Sequence, residues 1–401
     1  KNNYAQHLDK AIARTNEHGG TVGCYKEREM KQGAGEKDVE IKEKSFKKYM
    51  KPLIKKSSWE RMYESPLPPE VHDTTFITEM GLNYIKKRSK QKQPFFCHIS
   101  YVDPHDPYDP PQPYSEMFSP EEMPDPIPAE WEENQFEALD NCRDSYLNFR
   151  KICNDNYEIK KLRALYHGSL KFLDDQIGRI MDYLDDSGLW EDTIIVFSTD
   201  HGEMMGDHGL VSKGIKHYDT GIRCPLIVTG GAVSDKDTDR LTCSLDFFPT
   251  FCEWANIKEE KLPPLEGKSF ADVCLGKQEN NSWNEISVAI GKCNSVITDD
   301  GYRLTRYSGS DTGQMFNLVD DPQEQNNLYD NPEYQEKKIE LLERLIRVQA
   351  RPRTIPQYRN LPVKDGKKYV YPVSNKTIPF YNMAKSPWLK NEDKPEWKSN
   401  S

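Results

Sequence analysis

Apolar side chains recur at three-to-four spacing in two stretches of the chain. Phe76, Ile77, Met80, Tyr84 and Ile85 predict a helix over about 76–87. Leu162, Leu165, Tyr166, Leu170, Leu173, Ile177, Ile180, Met181 and Leu184 predict a long amphipathic helix, with Gly188 as its C-terminal stop. Between and after them the pattern changes to short continuous apolar runs at 95–101, 193–198 and 225–229. Runs of that kind belong to strands buried on both faces, the normal state of a parallel sheet. A further helix is expected over 245–254. Helix and strand alternating in this way predict an α/β fold with a mostly parallel central sheet between helices.

Beyond about residue 280 the spacing shifts to short alternating segments at 287–290, 295–298, 302–307 and 314–318. Asp300-Gly301 between the second and third is a strong hairpin signal. Asn331 and Pro332 suit the N-cap and first position of a helix carrying Leu341, Leu342, Leu345 and Ile346. A small antiparallel sheet with one helix is therefore expected at this end. The proline-packed stretch 103–128 must be loop, and 130–156 is polar enough to be an insertion. Residues 1 to about 70 read as polar surface helices and loops, and the segment from Arg351 as a tail wrapping the surface. The chain so divides into an α/β domain over 1–280, an antiparallel-sheet subdomain over 281–350 and an extended tail over 351–401.

Charge narrows the class of partner. The 401 residues hold 65 acidic and 55 basic side chains, a formal net charge of −10, so a general attraction to nucleic acid or an anionic membrane is not expected. An anionic substrate would need a local cluster of positive charge. No apolar run approaches the ~20 residues of a membrane span. The nine cysteines are scattered without a C-x-x-C pair, and the two N-x-S/T triplets at 280–282 and 375–377 leave the compartment open. The opening Lys1-Asn2-Asn3-Tyr4 has neither a starting Met nor a signal-peptide core, so a truncated start is expected.

Two segments carry chemistry. The first follows the 193–198 run: Ser198-Thr199-Asp200-His201-Gly202-Glu203, continuing through Asp207-His208 to Lys213-Gly214. It puts a carboxylate and an imidazole at the carboxyl end of a central strand, where open α/β sheets place their ligands. Asp200 and His201 can reach one cation if the backbone turns, which Gly202 permits. Alone, the triplet reads equally as a polar turn, and Lys213 as a solvated surface lysine. The second segment is Tyr101-Val102-Asp103-Pro104-His105-Asp106-Pro107-Tyr108-Asp109-Pro110-Pro111. Its prolines would hold His105 on a stiff loop, as proton donation to a leaving group requires. Standing alone, His105 reads better as a turn histidine.

Together these segments resemble the sulfatase family of the alkaline-phosphatase superfamily, in which a Pro-His-x-Pro loop and a later S/T-D-H-G turn followed by Lys-Gly line one pocket. Three further stretches are similar to the same family in the same order: Tyr166-His167-Gly168 through Gly178-Arg179-Ile180, then Gly221 to Val228, then Gln314-Met315-Phe316-Asn317-Leu318 through Asn327-Leu328. The resemblance implies an alkaline-phosphatase-like sandwich and release of inorganic sulfate from a sulfated carbohydrate or small organic ester. It makes Asp200 and His201 metal ligands, Lys213 the holder of sulfate and leaving-group oxygen, and His105 a sulfate contact or general acid. The metal expected by resemblance is Ca2+, with the imidazole leaving Mn2+ or Mg2+ open. Asp207 and His208 could touch substrate, although ordering the loop is the stronger reading for both. A periplasmic or secreted location is favoured by the family.

The family also needs a C/S-x-P-x-R segment whose Cys or Ser becomes formylglycine, a metal-binding Asp pair and a G-K-x-H motif, all upstream of the Pro-His loop. None occurs here. Cys24-Tyr25-Lys26-Glu27-Arg28 has the Cys and Arg separation but lacks the proline, and reads as a decoy. The polypeptide alone is therefore expected to be inactive, its parent active. Two alternatives stay open: a phosphodiester or phosphonate monoester hydrolase of the same superfamily, and an inert anion- or glycan-binding protein on the sulfatase fold.

Overall fold

A computed structural model describes residues 62–128 except 63, 66 and 92, then 155–213, 217–258, 262, 265–277, 282–290 and 293–349. The decoy Cys24 segment, the 1–61 region, the bulk of the 130–156 insertion and the tail from 351 lie outside the described residues. Tyr25–Ile257 together with Gly267–Arg351 form one compact unit, and every element below lies in it.

Helix α1, Asp73–Arg88, begins where the His72 side chain accepts a hydrogen bond from the Thr74 N–H. Helix α2, Asn156–Asp186, is the long amphipathic helix, capped by Asp155, whose carboxylate accepts from the N–H groups of Tyr157 and Glu158. It buries Leu162, Leu165, Leu173 and Leu184 of the stripe its spacing predicts, together with Ile159 and Phe172, leaves Tyr166, Leu170, Ile177, Ile180 and Met181 half-buried, and ends before Gly188. Strand β1, Ile195–Ser198, follows at the expected place but is only half-buried, with Phe197 exposed, and not covered on both faces. A single turn of helix α3, Asp219–Ile222, then leads into β2, Leu226–Thr229, and helix α4, Phe247–Trp254, comes after. A short helix α5, Ala271–Cys274, precedes the second sheet.

The two strands pair differently from the expectation of parallel neighbours. β1 and β2 run antiparallel, with Ile195 opposite Thr229 and Ser198 opposite Leu226. Parallel neighbours need a crossover that returns the chain to its starting edge. The described residues of the connection 199–225 hold the chemistry-bearing loop and α3, and β2 comes back beside β1 in the opposite direction. The run 95–101 is a second correction. It pairs with no strand among the described residues and alternates half-buried with exposed positions, Phe96 and His98 facing outward. Its inward side packs on α1, where Phe95 meets Tyr84 edge to face with centroids 6.3 Å apart. It is an extended, half-covered segment and not a strand buried on both faces.

The C-terminal sheet matches its expectation closely. β3, Glu285–Ile290, β4, Cys293–Thr298, β5, Tyr302–Tyr307, and β6, Gly313–Asn317, form an antiparallel meander in chain order. Gly301 turns the β4–β5 hairpin at φ +82°, a conformation costly for other residues. Asn331 accepts from the Glu333 N–H across a 3-10 turn, after which helix α6, Gln335–Gln349, lays Leu341 and Leu345 against Val296, Leu304 and Met315. Ile346 is exposed, so the apolar face of α6 is narrower than its sequence suggests. The whole is mixed α/β with a small C-terminal antiparallel sheet and helix.

Candidate active site

The two chemistry-bearing loops are brought together by packing before any polar group meets. Tyr108, four residues past Pro104, is fully buried in a cluster with Ile159, Leu162 and Leu165 of α2 and with Met205 and Val211 of the later loop. One aromatic anchor thus ties the proline loop, α2 and the loop after β1 to a common core. Burying a ring of that size is worth several kcal/mol at ~25 cal/mol per Å2, enough to hold a loop otherwise made of polar turns.

The later loop is shaped by a buried cation. Arg163, on the apolar stripe of α2, donates from Nε to the Met205 carbonyl at 2.9 Å and from its terminal nitrogens to the Pro124 carbonyl at 3.1 Å and Asp207 Oδ1 at 2.6 Å. Asp207 Oδ1 also accepts from the Ile127 N–H at 2.8 Å. His208 is 1% exposed and stacks on Tyr218, ring centroids 3.7 Å apart and planes within 4°. The enclosed ring packs the loop against Tyr218, and Asp207 ties it to Arg163 and Ile127. Sequence reasoning passed over Arg163. A charged residue interrupting the stripe between Leu162 and Leu165 was the available signal.

Loop closure then carries Lys213 back to the start of its own segment. The Met204 N–H donates to the Ser212 carbonyl at 3.2 Å, so Lys213 returns beside Glu203, two residues from His201. Burial pushes the Glu203 carboxyl above the usual carboxylate range, against the opposing pull of Lys213 and a hydrogen bond from the Ser212 backbone. Lys213 in turn reaches the proline loop: its ammonium donates to His105 Nε2 at 2.6 Å. An ammonium has no lone pair, so Nε2 must be the acceptor and the ring proton sits on Nδ1. Both Nδ1 neighbours agree with that tautomer, the Asp106 carbonyl at 2.8 Å and Asp106 Oδ1 at 3.0 Å. The Asp106 carboxylate is only 4% exposed and lies 4.0 Å from Lys Nζ. Residues 108 positions apart in the chain thus form a Lys–His–Asp row. Asp106 and Glu203 were not among the expected site residues, although Asp106 adjoins His105 and Glu203 lies two residues from His201.

Asp200 and His201 stand together at the end of β1. The His201 Nδ1–H donates to the Gly202 carbonyl at 2.8 Å, which leaves the Nε2 lone pair outward, 3.6 Å from Asp200 Oδ1. A ring held by a backbone carbonyl through one nitrogen is oriented as metal-ligating histidines are. Asp200 is 84% exposed on its side chain and free to turn towards a cation. This donor set fits one oxygen and one nitrogen ligand of a divalent ion. Among the described residues no third His, Cys, Asp or Glu joins them. Gly202 is required by close approach: its N–H donates to the Gly221 carbonyl at 3.0 Å, and a Cβ there would lie 2.0 Å from the Thr220 carbonyl oxygen.

Known proteins are similar to this chain over most of the described residues. The sulfatase family model matches residues 19–257, and that of the N-sulphoglucosamine sulphohydrolase C-terminal region matches 206–351. The multifunctional alkaline phosphatase superfamily protein PehA of Trinickia caryophylli is 30% identical over 74% of this chain and 64% of its own. An arylsulfatase of Clostridium perfringens is 30% identical over 69% and 57%. This chain therefore spans less than two thirds of either relative. Among solved structures, a phosphonate monoester hydrolase of Silicibacter pomeroyi superposes with a TM-score of 0.62 at 22% identity, covering 71% of this chain and 61% of that one. BT4656 in complex with its substrate D-glucosamine-2-N,6-O-disulfate superposes at 0.56 and 20%, covering 69% of each. At those identities the likeness is one of fold.

Proposed function

Since the chain belongs to the sulfatase family, we propose that the protein hydrolyses sulfate esters of a carbohydrate or small organic alcohol, and that the row Lys213, His105 and Asp106 receives the sulfate. The contact between Lys213 and His105 carries the reading. It unites two segments that are distant in sequence at a spot where a cation and a hydrogen-bonding ring lie beside the carboxylates of Asp106 and Glu203. A sulfate entering there would replace His105 as the partner of the Lys213 ammonium. His105, once its Nε2 is protonated, would be placed to give that proton to the departing ester oxygen, with Asp106 keeping the ring in orientation. Lys213 would stabilise the charge that gathers on that oxygen as the S–O bond breaks.

Asp200 and His201 would supply two ligands of a divalent ion, which when bound contributes Lewis-acid polarisation of the sulfate oxygens. One carboxylate and one imidazole suit Mg2+ or Mn2+ as well as Ca2+, which prefers six to eight oxygens. The attacking formylglycine belongs, by family, to sequence upstream of the Pro-His loop. His208, enclosed against Tyr218, would order the loop and not touch the sulfate.

Hydrolysis of phosphonate monoesters is the second reading, favoured by the likeness in fold to the phosphonate monoester hydrolase. Assay of the full-length protein against aryl and glycan sulfates beside phenyl phosphonate esters separates the two. Metal-dependent sulfate release is expected to dominate. A fully metallated protein that cleaves phosphonate esters alone would transfer the assignment to the second reading, and one that binds sulfated glycans without turnover would make it a binding protein.

A further inference from the structure

The C-terminal sheet sends a closed ring of buried polar groups into the segment just after Lys213. His217 Nδ1 shares a hydrogen bond of 2.7 Å with Ser295 Oγ of β4, which meets Thr305 Oγ1 of β5 at 2.7 Å. Arg303, also on β5, donates to Thr305 Oγ1 at 3.4 Å and forms an ion pair with Glu324 Oε1. Glu324 Oε2 then accepts from the Asp219 N–H at 2.7 Å, two residues from where the ring began. Both charged side chains are essentially without solvent contact. Tyr218, between the two anchored residues, is held as well. Its hydroxyl accepts from Gln314 Nε2 at 2.8 Å, and one face carries the His208 ring.

A buried ion pair is a poor way to gain stability, because desolvating both charges can offset their attraction. Here it does something that packing alone would not: it aims a carboxylate oxygen at the first free N–H of α3. That turn is connected directly to the site, since the Gly221 carbonyl accepts from Gly202, next to His201, and His208 and Lys213 lie on the loop leading to His217. The C-terminal sheet therefore grips the site loop at its far end, while Arg163 and Tyr108 grip it at the near end.

We propose that the Arg303–Glu324 pair, completed by Ser295 and Thr305, is a positioning device that locks His217–Asp219 to the C-terminal sheet and thereby sets the loop carrying His201 and Lys213. The effect on turnover rests on the function proposed above, whereas the lock itself does not. Glu324 and Arg303 touch no reacting atom and act through the Asp219 amide.

Two double substitutions in the full-length protein test this. Arg303→Met with Glu324→Leu removes both charges and the acceptor for the Asp219 N–H. Arg303→Met with Glu324→Gln removes both charges and keeps an acceptor. Neither leaves a lone buried charge, the usual reason such variants fail to fold. Hydrogen exchange of residues 217–222 and kcat on whichever ester the parent cleaves are then compared, with thermal unfolding as the control for folding. The Leu variant is expected to exchange the Asp219 amide roughly five- to tenfold faster, the worth of one buried hydrogen bond. Its kcat should fall about 100-fold through misplacement, with KM little changed, and the Gln variant should recover both. Folded Leu and Gln variants that behave alike would overturn the proposal, and failure of both to fold would make the pair a plain structural element. A parent that cleaves no ester would sink the proposed function, yet the exchange comparison would still decide the lock.

Discussion

Asp106 shows how much of a site can rest on one buried carboxylate. It neighbours His105 in sequence, takes the Nδ1 proton through its carbonyl, and puts Oδ1 within 4.0 Å of Lys Nζ. Asp106→Asn removes that charge and is expected to lower kcat about tenfold with KM little changed, since the ring stays but its orientation loosens. Steady-state kinetics in the full-length protein checks it, and a rise in KM alone would mean that Asp106 serves binding. His217 makes a prediction about stability. Burial, aided by Arg303, pushes its imidazole from the usual 6.5 down to about 4. Above pH 6.5 both folded and unfolded histidines are neutral and its contribution is intact. As pH falls towards 4 only the unfolded chain takes up the proton, so stability declines by about 3 kcal/mol over that window. Denaturation curves of His217→Asn, which retains a polar partner for Ser295, should lack this component. An identical acid slope in the variant would contradict the assignment.

At the level of elements, legibility followed periodicity. The helices α1, α2 and α6 and the strands of the C-terminal meander lie within a few residues of where apolar spacing, Asn331-Pro332 and Asp300-Gly301 place them, because each is specified by local geometry. Strand direction was not legible: the run 193–198 looks alike whether its neighbour runs with it or against it, and only the path of 199–225 decides. His105, Lys213, Asp200 and His201 were singled out because two motifs pointed at one family, and the fold brings Lys213 against His105 and sets Asp200 beside His201. Their support was invisible, since Arg163, Tyr108, Arg303 and Glu324 read individually as ordinary helix, loop or strand residues. Gly202 sits at the join of the elements. Gly202→Ala drives a Cβ against the Thr220 carbonyl and must part β1 from α3, costing about 1–3 kcal/mol by overpacking. Thermal unfolding should register that loss, and a variant as stable as the parent would mean that the α3 contact gives way freely.

For the molecule as a whole, one compact unit contains both the loops of the site and the sheet that braces them. No helix among the described residues is long and apolar enough to cross a membrane. The chain spans less than two thirds of PehA and of the arylsulfatase, and the central claim concerns what its residues contribute to the proposed turnover. That claim is that Lys213, at the head of the Lys–His–Asp row, holds the sulfate as its ester breaks. Its most direct test is sulfate release from an aryl sulfate by the full-length, metal-loaded protein and by its Lys213→Ala variant, with folding verified. The account predicts release by the parent and a loss of about 100- to 1,000-fold in kcat/KM for the variant, the scale of removing one charge-stabilising group. Equal release by the two proteins would contradict it.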